Sequence, residues 1–125
     1  MGVENLYRAL QQIQGSSGPA LGSADVFTAA RADESIASQT VALFFELLGQ
    51  FTGDLVLAMG AYNGAYIAGG VAQRHVDLLE QSHFRRGFEN KGRHSGILCE
   101  VPTAVITHNI PGLLGAAAYA QQRFR

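Results

Sequence analysis

One cysteine in 125 residues, Cys99, rules out an internal disulfide, so packing and hydrogen bonds alone must hold the fold. It lies in the apolar stretch GILCEVP with no second thiol nearby, and a buried, reduced side chain is expected. An excess of charge of one sign is missing too. Nine Lys and Arg against ten Asp and Glu leave a formal net charge of −1, which excludes the broad positive field that draws nucleic acid or an anionic membrane. The opening MGVENLYRALQQIQG lacks the basic-then-apolar pattern of an export signal, and Leu6 stands where a myristoylation motif has Ser or Thr; a cytoplasmic location is expected. An uncharged run from Leu55 to Ala72 nears the length of a membrane span, but Gly60, Asn63, Gly64, Gly69 and Gly70 interrupt it. It reads as a helix end, a turn and a strand, with no membrane partner expected.

What is present is the composition of a globular chain, 47% hydrophobic and 15% charged, long enough for one modest core. Val3, Leu6, Tyr7, Leu10 and Ile13 recur at helical steps and predict a short first helix, and GSSGPALGS follows as a loop. Asp25 is expected to cap a short helix over VFTAARA, and Asp33 to cap the next. That next helix is the long one. Ala37, Val41, Phe44, Leu48, Phe51, Leu55 and Ala58 alternate steps of four and three and predict one inward stripe. Gly49 and Gly53, one turn apart, cost helix propensity and so point to another backbone packed closely there.

Gly60 is expected to end this helix, Asn63-Gly64 to turn the chain, and Ala65 to Ala68 to form a short buried strand. Helical spacing returns at Val71, His75, Leu78 and Leu79, and again at Phe84 and Phe88. KGRHSGIL reads as a loop, Ala104 to Thr107 as a second strand, and IPGLLGAAAYAQQRFR as a terminal helix with Pro111 in its first turn. Two short strands cannot make a sheet that covers so many helices, so strands from elsewhere are expected to complete it.

The chemistry-bearing residues are sparse. Strand, Gly69-Gly70, helix lets a backbone approach a ligand. A purely structural turn has the same sequence, and neither a G-x-G-x-x-G nor a G-x-x-x-x-G-K-[ST] spacing is present. His75, His83, His94 and His108 show no H-x-x-x-H spacing, and no metal site is expected. His108, between a strand and a helix start, reads as a cap or a solvent-facing residue. Arg85, Arg86, Lys91, Arg93 and His94 could draw a phosphate but read as solvated loop residues. No catalytic Ser-His-Asp, paired-carboxylate or G-x-S-x-G constellation appears, so no catalytic residue is assigned.

Taken together, GVENLYRAL, ALFFELLGQFTGDLVLAMGAYNGAYIAGGV, FRRGFENKGR and HNIPGLLGAAAY resemble, in order and spacing, the C-terminal part of the bacterial glucokinase family. These are ATP-dependent sugar kinases of the actin-like, ribonuclease-H-like superfamily. The resemblance implies an α/β fold class: the helix-rich C-terminal half of an actin-like kinase large domain, as a single partial domain over residues 1–125 with few strands. It also implies that AYIAGGV is the adenosine motif, with Gly69, Gly70 and Val71 near the nucleotide and the NIPGLLG helix start, with Gly112, beside them. ATP, Mg²⁺ and glucose belong to the intact enzyme so implied.

The family's Asp-Gly-Gly-Thr phosphate loop, its Asn-Asp catalytic base and its Glu-Gly-Gly-His sugar-binding stretch have no counterpart in this sequence. Two expectations follow from that: a C-terminal piece of a glucokinase, inactive alone, or a non-catalytic oligomerisation or regulatory module derived from the fold. Uncovered apolar faces and a free strand edge would favour a homodimer.

Overall fold

The computed structural model describes residues 2–124. Its order is α1 (Gly2–Ile13), α2 (Ser23–Arg31), α3 (Ser35–Met59), β1 (Ala65–Ile67), α4 (Gly70–Arg74), α5 (Val76–Glu80), α6 (Phe84–Glu89), a 3₁₀ turn (Gly92–His94), α7 (Ser95–Glu100), β2 (Thr103–Val105) and α8 (Pro111–Arg123). The helix-rich α/β character expected from the sequence is what forms.

In α1, burial follows Val3, Tyr7 and Gln11 at steps of four, while Ile13 is 79% exposed. Gln11 takes the inward place expected of an apolar residue because its amide donates to the Pro19 carbonyl at 3.2 Å and ties down the loop after α1. Neither predicted Asp cap forms. Asp25 lies inside the first turn of α2, whose Ser23 amide instead donates to Glu4 of α1 at 3.1 Å. Asp33 adopts a left-handed φ of 59° and closes α2; Glu34 caps α3, accepting from the Ile36 and Ala37 amides at 3.2 and 2.6 Å. A carboxylate one residue later serves because Asp33 is already committed to ending the previous helix.

The buried face of α3 runs through Ala37, Val41, Phe45, Gly49, Gly53 and Val56. This departs from the predicted stripe: Phe51 and Leu55 are exposed, as is Ala58, while Phe44 and Leu48 are half-buried. The glycines decide the difference, because α6 lies so close over them that a Cβ at Gly49 would overlap the Phe84 carbonyl and one at Gly53 the Phe88 carbonyl. Gly87 reciprocates from α6, where a Cβ would overlap the Glu46 carbonyl. The close backbone packing expected of the pair is therefore present, and it turns the helix so that the glycines face inward. Alone, α3 is long and apolar enough to cross a membrane, with a mean hydropathy of 1.5; a core helix passes the same test.

Gly60, left-handed with a φ of 63°, ends α3, and the Ala61 amide reaches back to the Val56 carbonyl at 3.0 Å. The chain then enters β1, which pairs in parallel with β2, Ala65 opposite Thr103 and Ile67 opposite Val105. β1 is half-buried rather than buried, with Tyr66 71% exposed, and β2 begins one residue earlier than expected and stops before Ile106. Two strands are all the sheet has among the described residues.

The crossover holds two further surprises. KGRHSGIL, expected as a loop, contains the 3₁₀ turn and the start of α7, anchored where Lys91 Nζ donates to the Gln50 carbonyl at 2.8 Å and pairs with Asp54 at 2.7 Å. Cys99 is exposed, its thiol directed at the Gly96 carbonyl at 3.4 Å. Leu98, the residue before it, is the one buried on α7, and helix neighbours point about 100° apart.

Two apolar clusters form the core. One joins α1, α2 and α3 through Val3, Tyr7, Val26, Phe27, Val41 and Phe45; the other joins α3, α6 and α7 through Val56, Phe84, Phe88 and Leu98. Leu48 and Ile67 border both, so β1 sits where they meet. α8 begins at Pro111 as expected, but buries none of its residues.

Candidate functional site

The Gly69-Gly70 turn carries the chain from β1 into α4. Gly69 has φ 127° and ψ 156°, a conformation that L side chains rarely adopt, yet a Cβ there would meet nothing within 4 Å. Backbone geometry thus calls for glycine while the space beside it is open. Gly70 is also uncrowded: its nearest neighbour would be the Arg74 guanidinium, 3.8 Å from an added Cβ.

Two clefts flank the turn. An apolar one of about 250 Å³ is lined by Phe44, Leu48, Ile67 and Ala68 together with Gly69 through Ala72. A wider one of about 540 Å³ opens between α4 and α2, where Gly70, Val71, Arg74 and His75 face Glu4, Ser23, Asp25, Phe27 and Thr28. Gly69, Gly70 and Val71, consecutive in the chain, all line the apolar cleft, and Gly70 and Val71 line the wider one as well. Gly112, in the first turn of α8, is exposed and lines neither cleft. A physical link still joins the two regions, since the Gln73 side-chain amide of α4 donates to the Ile106 and His108 carbonyls at 3.0 and 2.9 Å.

A charged network adjoins His75, which lines the wider cleft. Arg31 binds both carboxylate oxygens of Asp77, at 2.5 and 2.8 Å, and its second Nη lies 3.4 Å from His75 Nδ1. The His75 ring stacks on Phe27 with centroids 3.8 Å apart and planes within 8°. Burial, and then the Arg31 charge, lower the His75 pKa below its ordinary value, so the imidazole is neutral near pH 7. The hydrogen bonds from Arg31 hold the Asp77 carboxyl down at about 2. Because the folded pKa lies below that of the unfolded chain, the stability this pair contributes is present above pH 4 or so and is lost as pH falls through about 2. In Arg31→Met, the Asp77 carboxyl is expected to titrate near the ordinary value of about 3.9, followed by NMR of the carboxyl carbon; an unmoved midpoint would remove Arg31 as the cause.

The remaining candidates scatter. His108 is exposed, and its Nδ1 accepts the Ile110 amide at 3.2 Å, one residue before the first turn of α8, which has no side-chain cap. Among the described residues no group of three or more His, Cys, Asp or Glu is placed to hold a metal ion. The basic stretch divides: Arg85 reaches Glu89 and the carbonyls of Leu98, Cys99 and Val101, and Lys91 is anchored on α3, while Arg86, paired with Glu46, and Arg93 and His94 are exposed as expected. Arg74 and the α2 wall went unseen in the sequence. An Arg four residues beyond Gly70 shares its helix face, which is a readable signal; the α2 wall, more than 40 residues upstream, has no local one.

Comparison with known proteins gives the family of the chain. The family described as Glucokinase matches residues 1–123. A glucokinase of Xylella fastidiosa (strain M23) is 40% identical over 120 residues, covering 96% of this chain and 36% of the relative. One from Xanthomonas campestris pv. campestris (strain B100) is 42% identical over 119 residues, with 95% and 36% covered. Among solved structures, the glucokinase from an Antarctic psychrotroph superposes with a TM-score of 0.86 at 35% identity, covering 97% of this chain and 38% of that one. The chain therefore spans a little over a third of the length of these relatives. With a family match along nearly its whole length and a fold that superposes on a solved member, the chain belongs to the glucokinase family.

Proposed function

We propose that this chain, as one cytoplasmic partial domain, supplies the adenosine side of an ATP site that serves transfer of the γ-phosphate to the 6-hydroxyl of glucose. Gly69, Gly70 and Val71 lie nearest the nucleotide in this reading, and Gly112 sits at the neighbouring helix start. The observation that carries it is the Gly69 backbone, held at φ 127° with open space beside it, in a segment that flanks two clefts. Phosphoryl transfer needs little covalent chemistry from a protein: alignment of hydroxyl and phosphate and stabilisation of charge supply most of the rate. This chain's part is to bind and orient the nucleoside end. Mg²⁺, implied for the intact enzyme, finds no cluster of ligands among the described residues.

The expected result is ATP binding by calorimetry that Gly70→Val abolishes. A Cβ at Gly70 makes only ordinary contacts, so the fold tolerates the change while the branched side chain fills the cleft. Binding unchanged in Gly70→Val would refute the site. The chain alone is expected to form no glucose 6-phosphate, and its formation by the pure protein would overturn that expectation.

A second reading, a homodimeric non-catalytic module, is favoured by one observation. Phe51 and Met59 of α3, 61% and 77% exposed, line with Tyr66 an apolar cleft of about 350 Å³ beside β1, surface that a second copy would cover. A stable monomer by light scattering at micromolar concentration would exclude it.

A further inference from the structure

We infer that Arg74 is the platform on which the purine ring of the bound nucleotide stacks, an inference that rests on the nucleotide reading of the Gly69-Gly70 turn. Arg74 sits at the end of α4, and its side chain folds back along the helix so that Cζ and one Nη lie 3.8 and 3.9 Å from where a Cβ would stand on Gly70. The guanidinium therefore rests over the glycine and lines the 540 Å³ cleft between α4 and α2. Arg31, Arg85, Arg86 and Lys91 each meet a carboxylate; Arg74 meets none among the described residues, so its planar cation is available. A guanidinium plane is a natural stacking surface for a base, being delocalised and more weakly hydrated than an ammonium.

The rest of the cleft selects between the two ends of a nucleotide. Asp25 shares it with the single guanidinium, and a carboxylate there repels a polyphosphate. The same carboxylate suits the hydrogen-bond donors of a nucleoside, its exocyclic amine and ribose hydroxyls. His75, stacked on Phe27, adds a flat wall, and its lowered pKa keeps that wall uncharged. The phosphates then point out of this cleft, away from Asp25.

Calorimetric titration of the chain with adenosine and with ADP, in wild type, Arg74→Ala and Arg74→Lys, tests the assignment. Arg74 is exposed, so both variants keep the fold. Arg74→Ala should weaken adenosine and ADP alike, by about tenfold, and Arg74→Lys should fail to restore either, since an ammonium keeps the charge and loses the plane. An unchanged adenosine affinity in Arg74→Ala overturns the inference. So does a pattern in which only ADP is weakened and lysine restores it, which would make Arg74 a phosphate anchor. If wild type binds neither ligand at millimolar concentration, the nucleotide reading itself fails and this one with it; binding that ignores Arg74 removes only the platform.

Discussion

Gly49→Ala is expected to destabilise the protein by about 3 kcal/mol, although helix propensity alone predicts a gain of about 1 kcal/mol. The opposite signs make this a clean test of how α3 and α6 meet. A Cβ on Gly49 would overlap the Phe84 carbonyl oxygen, with the carbonyl carbon at 2.8 Å and Cα at 3.1 Å. All three atoms are backbone, so no side-chain rotation relieves the clash and the helices must separate. Separation opens the cluster of Val56, Phe84, Phe88 and Leu98, which adds lost contacts to the strain. For a domain whose total stability is about 5–15 kcal/mol, this loss moves a urea midpoint far. Gly115→Ala is the control: it lies within α8 with nothing within 4 Å of its Cβ position, and should be neutral or stabilising. A Gly49→Ala midpoint equal to or above that of wild type would mean that the two backbones are farther apart than the structure places them.

The same glycines show how far a sequence can be read. That a glycine pair one turn apart inside an apolar helix marks close packing follows from local rules, and it holds. Which face the helix then buries does not follow, because Phe51 and Leu55 fit a helical stripe as well as Gly49 and Gly53 do, and only the position of α6 decides. The caps fail for a related reason. Asp25 and Asp33 are good capping residues by type, but Glu4 comes from another helix to take the Ser23 amide, and Asp33 is held in a left-handed turn. Cys99 and Leu98 are adjacent apolar residues, and one helical step separates an exposed thiol from a buried leucine. At the site, the Gly69-Gly70 turn is legible because φ above zero needs glycine. Its surroundings are tertiary: α2 reaches the cleft only after the chain has folded through α3 and back.

The basic stretch gives the second large effect. Arg85→Ala is expected to cost about 3 kcal/mol, and Arg85→Lys nearly as much, because the residue works through the shape of its guanidinium rather than its charge. Its Nη2 donates to the Leu98 and Cys99 carbonyls at 3.0 Å each, and Nη1 to the Val101 carbonyl at 2.7 Å. These acceptors are two carbonyls in the last turn of α7, of which that of Leu98 also takes the Val101 amide at 3.1 Å, and the carbonyl of Val101, which follows the helix. The guanidinium also lies 4.8 Å from the Phe88 ring centroid, over the buried cluster. Lysine offers one nitrogen in place of a fork and cannot reach three carbonyls set around it. The side chain is 38% exposed, so water compensates part of the loss, and the figure is set below the sum of its bonds. Glu89→Gln separates shape from charge: it removes the carboxylate of an i,i+4 pair and should cost about 0.5 kcal/mol or less. Urea denaturation orders the three variants, and hydrogen exchange at Thr103–Val105 should accelerate in the two arginine variants alone, because β2 is delivered to β1 by the turn that Arg85 holds. Arg85→Lys with wild-type stability and exchange would reduce Arg85 to a surface charge and leave the α7–β2 turn to be fixed by Leu98 and Val101 packing alone.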